Sequence, residues 1–475
     1  MILASVFLEA FAGCRFRPPV AKPPVKVPGE FSASGGEEVI DQWWKMLGDE
    51  TLDLLVKRSL QGNLDIKIMW SRLDAAKAQA RIAGAGLYPS VDGEAKVGVG
   101  FSEKKTSAAG VETGGATPSF LLGVAAGYEV DLWGRVRSTR KAAVRDFEAT
   151  RESLKAAAIS LSGEVAVAWF SLLEAYGQIR LLKAQEKLNN DFLKLVALRM
   201  GYGETGAVDL LQQKQLIEST RNTLTEAEVT ARLVEHRLAL LLGRGPDENV
   251  LPEGAGERNL PELPALPNAG VPSDLLKRRP DVRAAYQQVE AANERVAAAI
   301  ADRFPKLSLA ASVQVSDDGV KNLFNNWLVS LAANLLGPIF DGGRRKAEVS
   351  RTRAVAAEAL HAYGKTILQA LYEVEDALLK EQNFKQRLDT LREQLRLSEM
   401  VVQRARDNYV HGVDGYLRVL DAMDKHQTLQ RNELTLNRRI LENRVALCRA
   451  LAGGWKLVRP EKKKDDGTSG AGDDG

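Results

Sequence analysis

The chain has 475 residues, 65 of them basic and 62 acidic, for a net charge of +3. That balance speaks against a nucleic-acid partner, and two cysteines, Cys14 and Cys448, leave no disulfide framework or CxxC metal site. Mean hydropathy is −0.21, and no uninterrupted apolar run reaches the ~18 residues of a membrane helix. His236, His361, His411 and His426 do not stand at metal-ligand spacing, and no nucleophile–base set or phosphate loop suggests an enzyme or a bound cofactor.

Residues 1–13 end in Ala-Gly ahead of Cys14, the form of a lipoprotein signal cut before a lipidated cysteine. No basic residue precedes the apolar stretch and Glu9 interrupts it, so the expectation is a signal peptide with a truncated or mis-assigned start. A Pro-rich, extended tether follows over 14–40. Trp43 and Trp44 introduce a first amphipathic helix through Leu52, Leu55, Val56 and Leu60; a second runs from Leu64 to about Ala83 and stops at Gly84, Gly86 and Pro89.

Four segments then alternate with period two: Val91–Phe101, Phe120–Val130, Leu307–Val315 and Trp327–Leu335. Each is apolar on one face and polar or small on the other, as in a strand of a water-filled membrane barrel or a sheet with one wet face. Turn-rich linkers, Ser102–Pro118 and Asp317–Asn326, join them as two hairpins.

At Asp131-Leu132-Trp133-Gly134-Arg135 the period changes to that of a helix, and no proline interrupts it from Pro118 to Pro246. Leu154, Ala158, Leu161, Val165, Ala168, Leu172, Ala175, Ile179 and Leu182 step by four and three, the seam of helices packed side by side. At 1.5 Å per residue such a helix spans roughly 100 Å. A second strand-to-helix corner, Ile339-Phe340-Asp341-Gly342-Gly343-Arg344, opens another proline-free run to Pro460.

The second half repeats the first. A shift of 216 carries Asp65 onto Asp281 and Val97 onto Val313; further on, a shift of 207 carries Arg199 onto Arg406, Tyr202 onto Tyr409, Leu210 onto Leu417 and Arg237 onto Arg444. The first repeat is placed at 41–250, a Pro-rich linker at 251–272, the second repeat at 273–455 and a disordered tail at 456–475. Four strands are too few to close a membrane barrel, and an open edge in lipid leaves backbone groups unpaired; strands that cross a membrane therefore require several copies of the chain.

Trp43-Trp44, Asn63-Leu64-Asp65, Tyr88-Pro89-Ser90, Tyr128 to Arg135 and Gly412 to Ala422 together resemble the outer-membrane efflux proteins. The likeness is to the TolC-like, NodT-type lipoproteins that serve resistance-nodulation-division multidrug pumps, and it extends from Gln42 to Leu451. It implies a mixed fold, a long α-helical tunnel below a transmembrane β-barrel with four strands per chain and two internal repeats. It also implies a homotrimer in the bacterial outer membrane, lipid on Cys14, a periplasmic adaptor at the tunnel tip and an inner-membrane pump beyond it. The protein is then a passive exit duct for drugs or other small molecules. Protein secretion of type I and metal-ion efflux remain open within the same fold, and a coiled-coil scaffold outside it.

The helix reversals at Gly201–Val208 and Val410–Gly415 are the expected tip. Adaptor docking falls on Tyr202, Gly203, Thr205, Gly206, Gly412 and Val413. Gly201 to Gly206 reads as GxGxxG, but a helix precedes it where a dinucleotide site needs a strand, so the turn reading holds. By resemblance Asp421 belongs to an acidic ring at the closed end of the channel, and Tyr409 and Asp414 tie neighbouring helices. Arg418 stands where the family is often acidic; with Asp421 and Asp424 at steps of three, it suggests an Arg–Asp ladder on one face. The corners Asp131, Trp133, Gly134, Arg135, Gly342 and Gly343 are expected to be structural, with Trp133 in an interfacial aromatic girdle and Cys448 a small buried hydrophobe.

Overall fold

The computed structural model describes residues 22–36, 42–106, 112–246, 248 and 250–459, so Cys14 and the tail after Arg459 lie outside it. After a 3-10 turn at Trp43–Leu47 come α1 (Glu50–Gly62), α2 (Leu64–Ala85), β1 (Ser90–Thr106), β2 (Glu112–Val130), α3 (Arg135–Gly201) and α4 (Ala207–Leu241). The second repeat gives α5 (Pro272–Arg278), α6 (Pro280–Ala301), β3 (Lys306–Asp317), β4 (Trp327–Leu336), α7 (Arg344–Val410) and α8 (Tyr416–Leu451). The repeats match in length: α2 and α6 have 22 residues each, α3 and α7 have 67 each, and α4 and α8 have 35 and 36. Two compact units result, one built on residues 72–151 and 284–365, the other on 25–71, 152–283 and 366 onward.

The first unit holds a single antiparallel sheet in the order β1-β2-β3-β4. Its register stacks the apolar alternations on one face. Ala95, Leu122, Val315 and Trp327 form one row, Val124, Val313 and Val329 the next, and Val91, Ala126, Ala311 and Leu331 another. The opposite face carries rows such as Asp92, Ala125, Ser312 and Ser330, or Glu129, Ser308 and Asn334. A one-residue slip at any seam would mix the faces, so the pattern fixes the register. The apolar face is left uncovered, with Val97, Phe101, Trp327 and Leu331 among the most exposed side chains. The expected loop from Ser102 to Pro118 is mostly strand instead: pairing continues to Thr106 and Glu112 past a register shift after Ser102. Pro118 fits because it lies beyond the β2–β3 ladder, which starts at Phe120, where the strand has one neighbour only.

The second unit is helical. Asp49 starts α1 by accepting from the Thr51 and Leu52 amides at 2.8 and 3.2 Å, and its other oxygen accepts from the Trp169 indole at 2.6 Å. Trp43, fully buried, donates to Ser162 at 3.2 Å, so both indoles are satisfied in the core. Eight of the nine seam residues are buried, Ile179 being half-buried. One window of α3 is apolar enough to pass for a membrane span, with mean hydropathy 1.6, but 67% of it is buried within the protein as core.

α3 packs on both α4 and α8, α4 also meets α8 where Tyr416 bonds Gln213, and α7 packs on α8. Tyr176 on α3 reaches Glu235 on α4 at 2.7 Å, Gln178 on α3 reaches the Arg431 carbonyl on α8 at 2.9 Å, and Asn443 on α8 reaches the Ala377 carbonyl on α7 at 2.9 Å. The repeat register at the helix reversals is 209, not 207: Gly203 and Gly412 share a left-handed conformation (φ 75° and 73°), and Gly206 and Gly415 each open the returning helix. The 207 shift equated exposed Tyr202 with buried Tyr409; two residues rotate a helix position by about 200°, onto the opposite face.

Candidate functional site

Both reversals are built alike. The amides of Gly203 and Glu204 bond back to the Met200 and Arg199 carbonyls, and those of Gly412 and Val413 to Tyr409 and Asn408, the paired bonds of a Schellman motif with glycine at its left-handed position. Thr205 bonds the Asp209 carboxylate, and Asn408 donates to Asp414 at 2.8 Å, closing each turn with a side chain. Tyr202 and Val413 project from the turns at 76% and 71% exposure, with Val208, Leu211 and Leu417 exposed beside them.

Behind this surface lies a packed cluster of Phe192, Val196, Ala405, Tyr409, Tyr416, Val419, Ala422 and Met423. The Tyr409 and Tyr416 rings meet edge to face with centroids 5.5 Å apart, and the Arg199 guanidinium sits 4.4 Å from the Tyr409 ring centre. Arg199 also donates to the carbonyls of Tyr409 and Val410, which ties the end of α3 to the end of α7. The Tyr416 hydroxyl donates to Gln213, and burial holds its phenol well above the ordinary value, with nearby Tyr409 adding to the shift. Tyr409 is therefore a core residue that ties helices of one chain.

The charged residues expected at a gate do not form the ladder. Arg418 pairs with Asp414 at 3.4 Å, and Asp421 pairs with Lys425 at 2.7 Å. Both pairs are spaced i,i+4, in place of the steps of three from Arg418 to Asp421 to Asp424. Asp424 has no ion-pair partner among the described residues.

In the other unit, the corner before α3 is held at several points. Asp131 accepts from the Val136 and Arg137 amides at 3.0 Å each and from Arg137 Nε at 2.9 Å, capping the helix. Arg135 grips Glu129 with two bonds of 3.1 and 2.7 Å. Gly134 takes φ 81°, open to glycine at little cost. Trp133 stacks on Phe304 at 4.7 Å and donates to the Pro305 carbonyl at 2.7 Å. Its indole thus latches the first repeat's corner onto the turn that opens β3, the contact that occupies it in this fold. At the second corner Gly342 and Gly343 both have positive φ, and Arg345 pairs with Asp341 at 3.1 Å.

The outer membrane efflux protein family model matches residues 55–244 and 271–453, one copy on each repeat. The chain belongs to the outer membrane efflux protein family. It is 31% identical to the pyoverdine export outer membrane protein OpmQ of Pseudomonas aeruginosa over 447 residues, 92% of each chain. It is 30% identical to the cation efflux system protein CusC of Escherichia coli O6:H1, over 94% of this chain and 97% of the relative. Among solved structures, the outer-membrane channel OprN superposes with a TM-score of 0.85 at 26% identity, covering 92% of this chain and 99% of that one. The fold is thus that of the family's outer-membrane channels, and the protein is an outer-membrane efflux protein.

In this efflux protein the sequence did not point to a buried polar layer above the tip. Gln427 donates to Asn189 Oδ1 at 2.8 Å, Gln213 donates to the Asn189 carbonyl at 2.6 Å, and Asn189 donates to Thr220 at 3.1 Å. Every member is satisfied, so the layer fixes the register of α3, α4 and α8. A signal existed: Asn189 falls on the continuation of the α3 seam, where a polar residue among apolar ones specifies register.

Proposed function

We propose that three copies of this chain form the outer-membrane exit duct of a tripartite efflux system, passing small molecules outward without catalysis. One observation carries the reading: the sheet ends in unpartnered edges. Within the chain β2 pairs with β3, while β1 and β4 have one neighbour each. An apolar sheet face suits lipid, but open strand edges there cost several kcal/mol per unpaired group. Further copies remove every edge, and the family resemblance sets their number at three, which gives a twelve-stranded barrel.

In that assembly the polar sheet face lines the pore. The exposed turns bearing Tyr202, Gly203, Thr205, Gly206, Gly412 and Val413 form the surface for a periplasmic adaptor, which links to a resistance-nodulation-division pump in the inner membrane. Asp414, Arg418 and Asp421 gather near the axis as the gate, backed by Tyr409. Cys14 carries lipid. OpmQ is named for pyoverdine and CusC for cations, and the chain resembles both almost equally, which fits a duct whose cargo is chosen by its pump. Purified protein in planar bilayers should give discrete, uniform conductance steps; insertion without conductance would reject the duct.

A further inference from the structure

A cleft of 360 Å³ in the helical unit is lined by the 3-10 turn at Trp43–Leu47, by α1, by the first turns of α2 and by the C-terminal segment 455–458. Three tryptophans form its walls. Trp44 and Trp455 meet edge to face with centroids 4.9 Å apart, and Trp70 lines the cleft from α2. Leu60, Ile66 and Leu457 add further apolar surface.

The charge of the cleft is one-sided. Lys45, Lys57 and Lys456 converge on it from three separate segments, and none of them has an ion-pair partner among the described residues. The one carboxylate in the lining, Asp53, accepts from the Trp44 indole at 2.9 Å. At the rim the Arg459 guanidinium lies 5.6 Å from the centre of the Trp70 ring. The internal repeat does not reproduce these residues. The shift of 216 that carries Asp65 onto Asp281 carries Trp70 onto Tyr286, which packs on Tyr363 with centroids 5.8 Å apart. After α4, Leu242 to Pro246 hold neither a tryptophan nor a lysine to match Trp455 and Lys456. A duplicated chain repeats what its packing needs, so packing alone does not account for this set.

We propose that this cleft binds a small aromatic anion, a carboxylate or sulfonate whose flat body lies among the tryptophans and whose charge faces the lysines. The volume falls at the low end of the roughly 300–1,000 Å³ of small-molecule sites, and the lining has their form, apolar walls with a few convergent polar groups. Aromatic rings gain from offset or edge-to-face contact with indoles beyond the area they bury. A carboxylate or sulfonate supplies the counter-charge that the three lysines lack. A sugar fits less well: the Trp44 N–H is already bonded to Asp53, which leaves two glutamine amides, Gln42 and Gln61, to meet many hydroxyls. A ligand held there bridges α1 and α2 to the C-terminal segment of the same chain, so the site is independent of the number of copies.

The full chain in detergent, titrated with naphthalene-β-sulfonate by calorimetry against a protein-free blank, should saturate at one molecule per chain. Neutral β-naphthol should bind roughly tenfold more weakly, and added salt should weaken the sulfonate. Lys57→Ala with Lys456→Ala should cost roughly tenfold in affinity, whereas Lys57→Arg with Lys456→Arg should stay within about threefold. Lys187→Ala with Lys214→Ala, at exposed positions of α3 and α4, should change nothing. Trp70→Leu should also cost roughly tenfold. The lysine variants lie at exposed positions and carry the test even where the tryptophan variant does not fold. Uptake that never saturates, or that the Lys57/Lys456 pair leaves unchanged, would overturn the site. Decanoate binding as tightly as the naphthalene would replace the aromatic ligand by an acyl chain and overturn the proposal as well.

Discussion

Gly203 and Gly412 occupy the same left-handed conformation at the two helix reversals, φ 75° and 73°, with the same pair of backbone bonds closing behind each. Nothing lies within 4 Å of a Cβ added to either, so the only cost of a side chain there is conformational. Gly203→Ala and Gly412→Ala should each destabilise the helical unit by about 1–2 kcal/mol. Gly201→Ala, on the last turn of α3 and equally free of neighbours, should be neutral or slightly stabilising. Thermal unfolding of the three variants tests this; equal midpoints would mean that the left-handed turns are not maintained.

Arg444 is 2% exposed and donates to Glu381 at 2.5 Å and to the Ala265 carbonyl at 2.7 Å, fastening the Pro-rich linker to α8. Arg444→Met would leave a largely buried carboxylate without its cation. The expected loss is about 3–5 kcal/mol, read by urea unfolding. A loss below 1 kcal/mol, about the value of a surface pair, would show that water reaches Glu381.

His426 lies on α8 with Nδ1 2.8 Å from Ser398 Oγ on α7. Burial lowers its pKa, against an opposing pull from Glu399. The fold therefore favours the neutral ring, and the unfolded chain takes the proton first. Stability should fall as pH drops below about 6.5, the ordinary histidine value, and level off below the lowered one. His426→Asn should flatten the curve in that window; an unchanged slope would place the dependence elsewhere.

Much of the architecture was legible because two periods are hard to mistake. The step of four and three from Leu154 to Leu182 is the buried side of α3, and the alternations around Val124, Val313 and Val329 meet in one row. Less was legible where geometry depends on partners. Letter matching equated Tyr202 with Tyr409, whereas the backbone turns equate Gly203 with Gly412. Steps of three placed Arg418, Asp421 and Asp424 on one face, but Asp414 and Lys425, one turn away, took the partners. Nor could spacing show that Arg199 would lie on Tyr409, since 210 residues separate them.

Asp421 and Lys425 form an exposed pair, so removing the carboxylate costs little stability. In the proposed gate, Asp421→Ala removes three carboxylates from the axis at once. Single-channel conductance in planar bilayers should rise and cation preference should fall. An intact trimer with unaltered conductance would remove Asp421 from the gate.

The most direct test of the account is the mass of the protein extracted from outer membranes, measured by light scattering with bound detergent subtracted. The open edges call for more than one copy, and the proposed trimer predicts three copies of the 51.9 kDa chain in one particle. A monodisperse single chain, stable in detergent and still folded, would contradict the shared barrel and with it the exit duct.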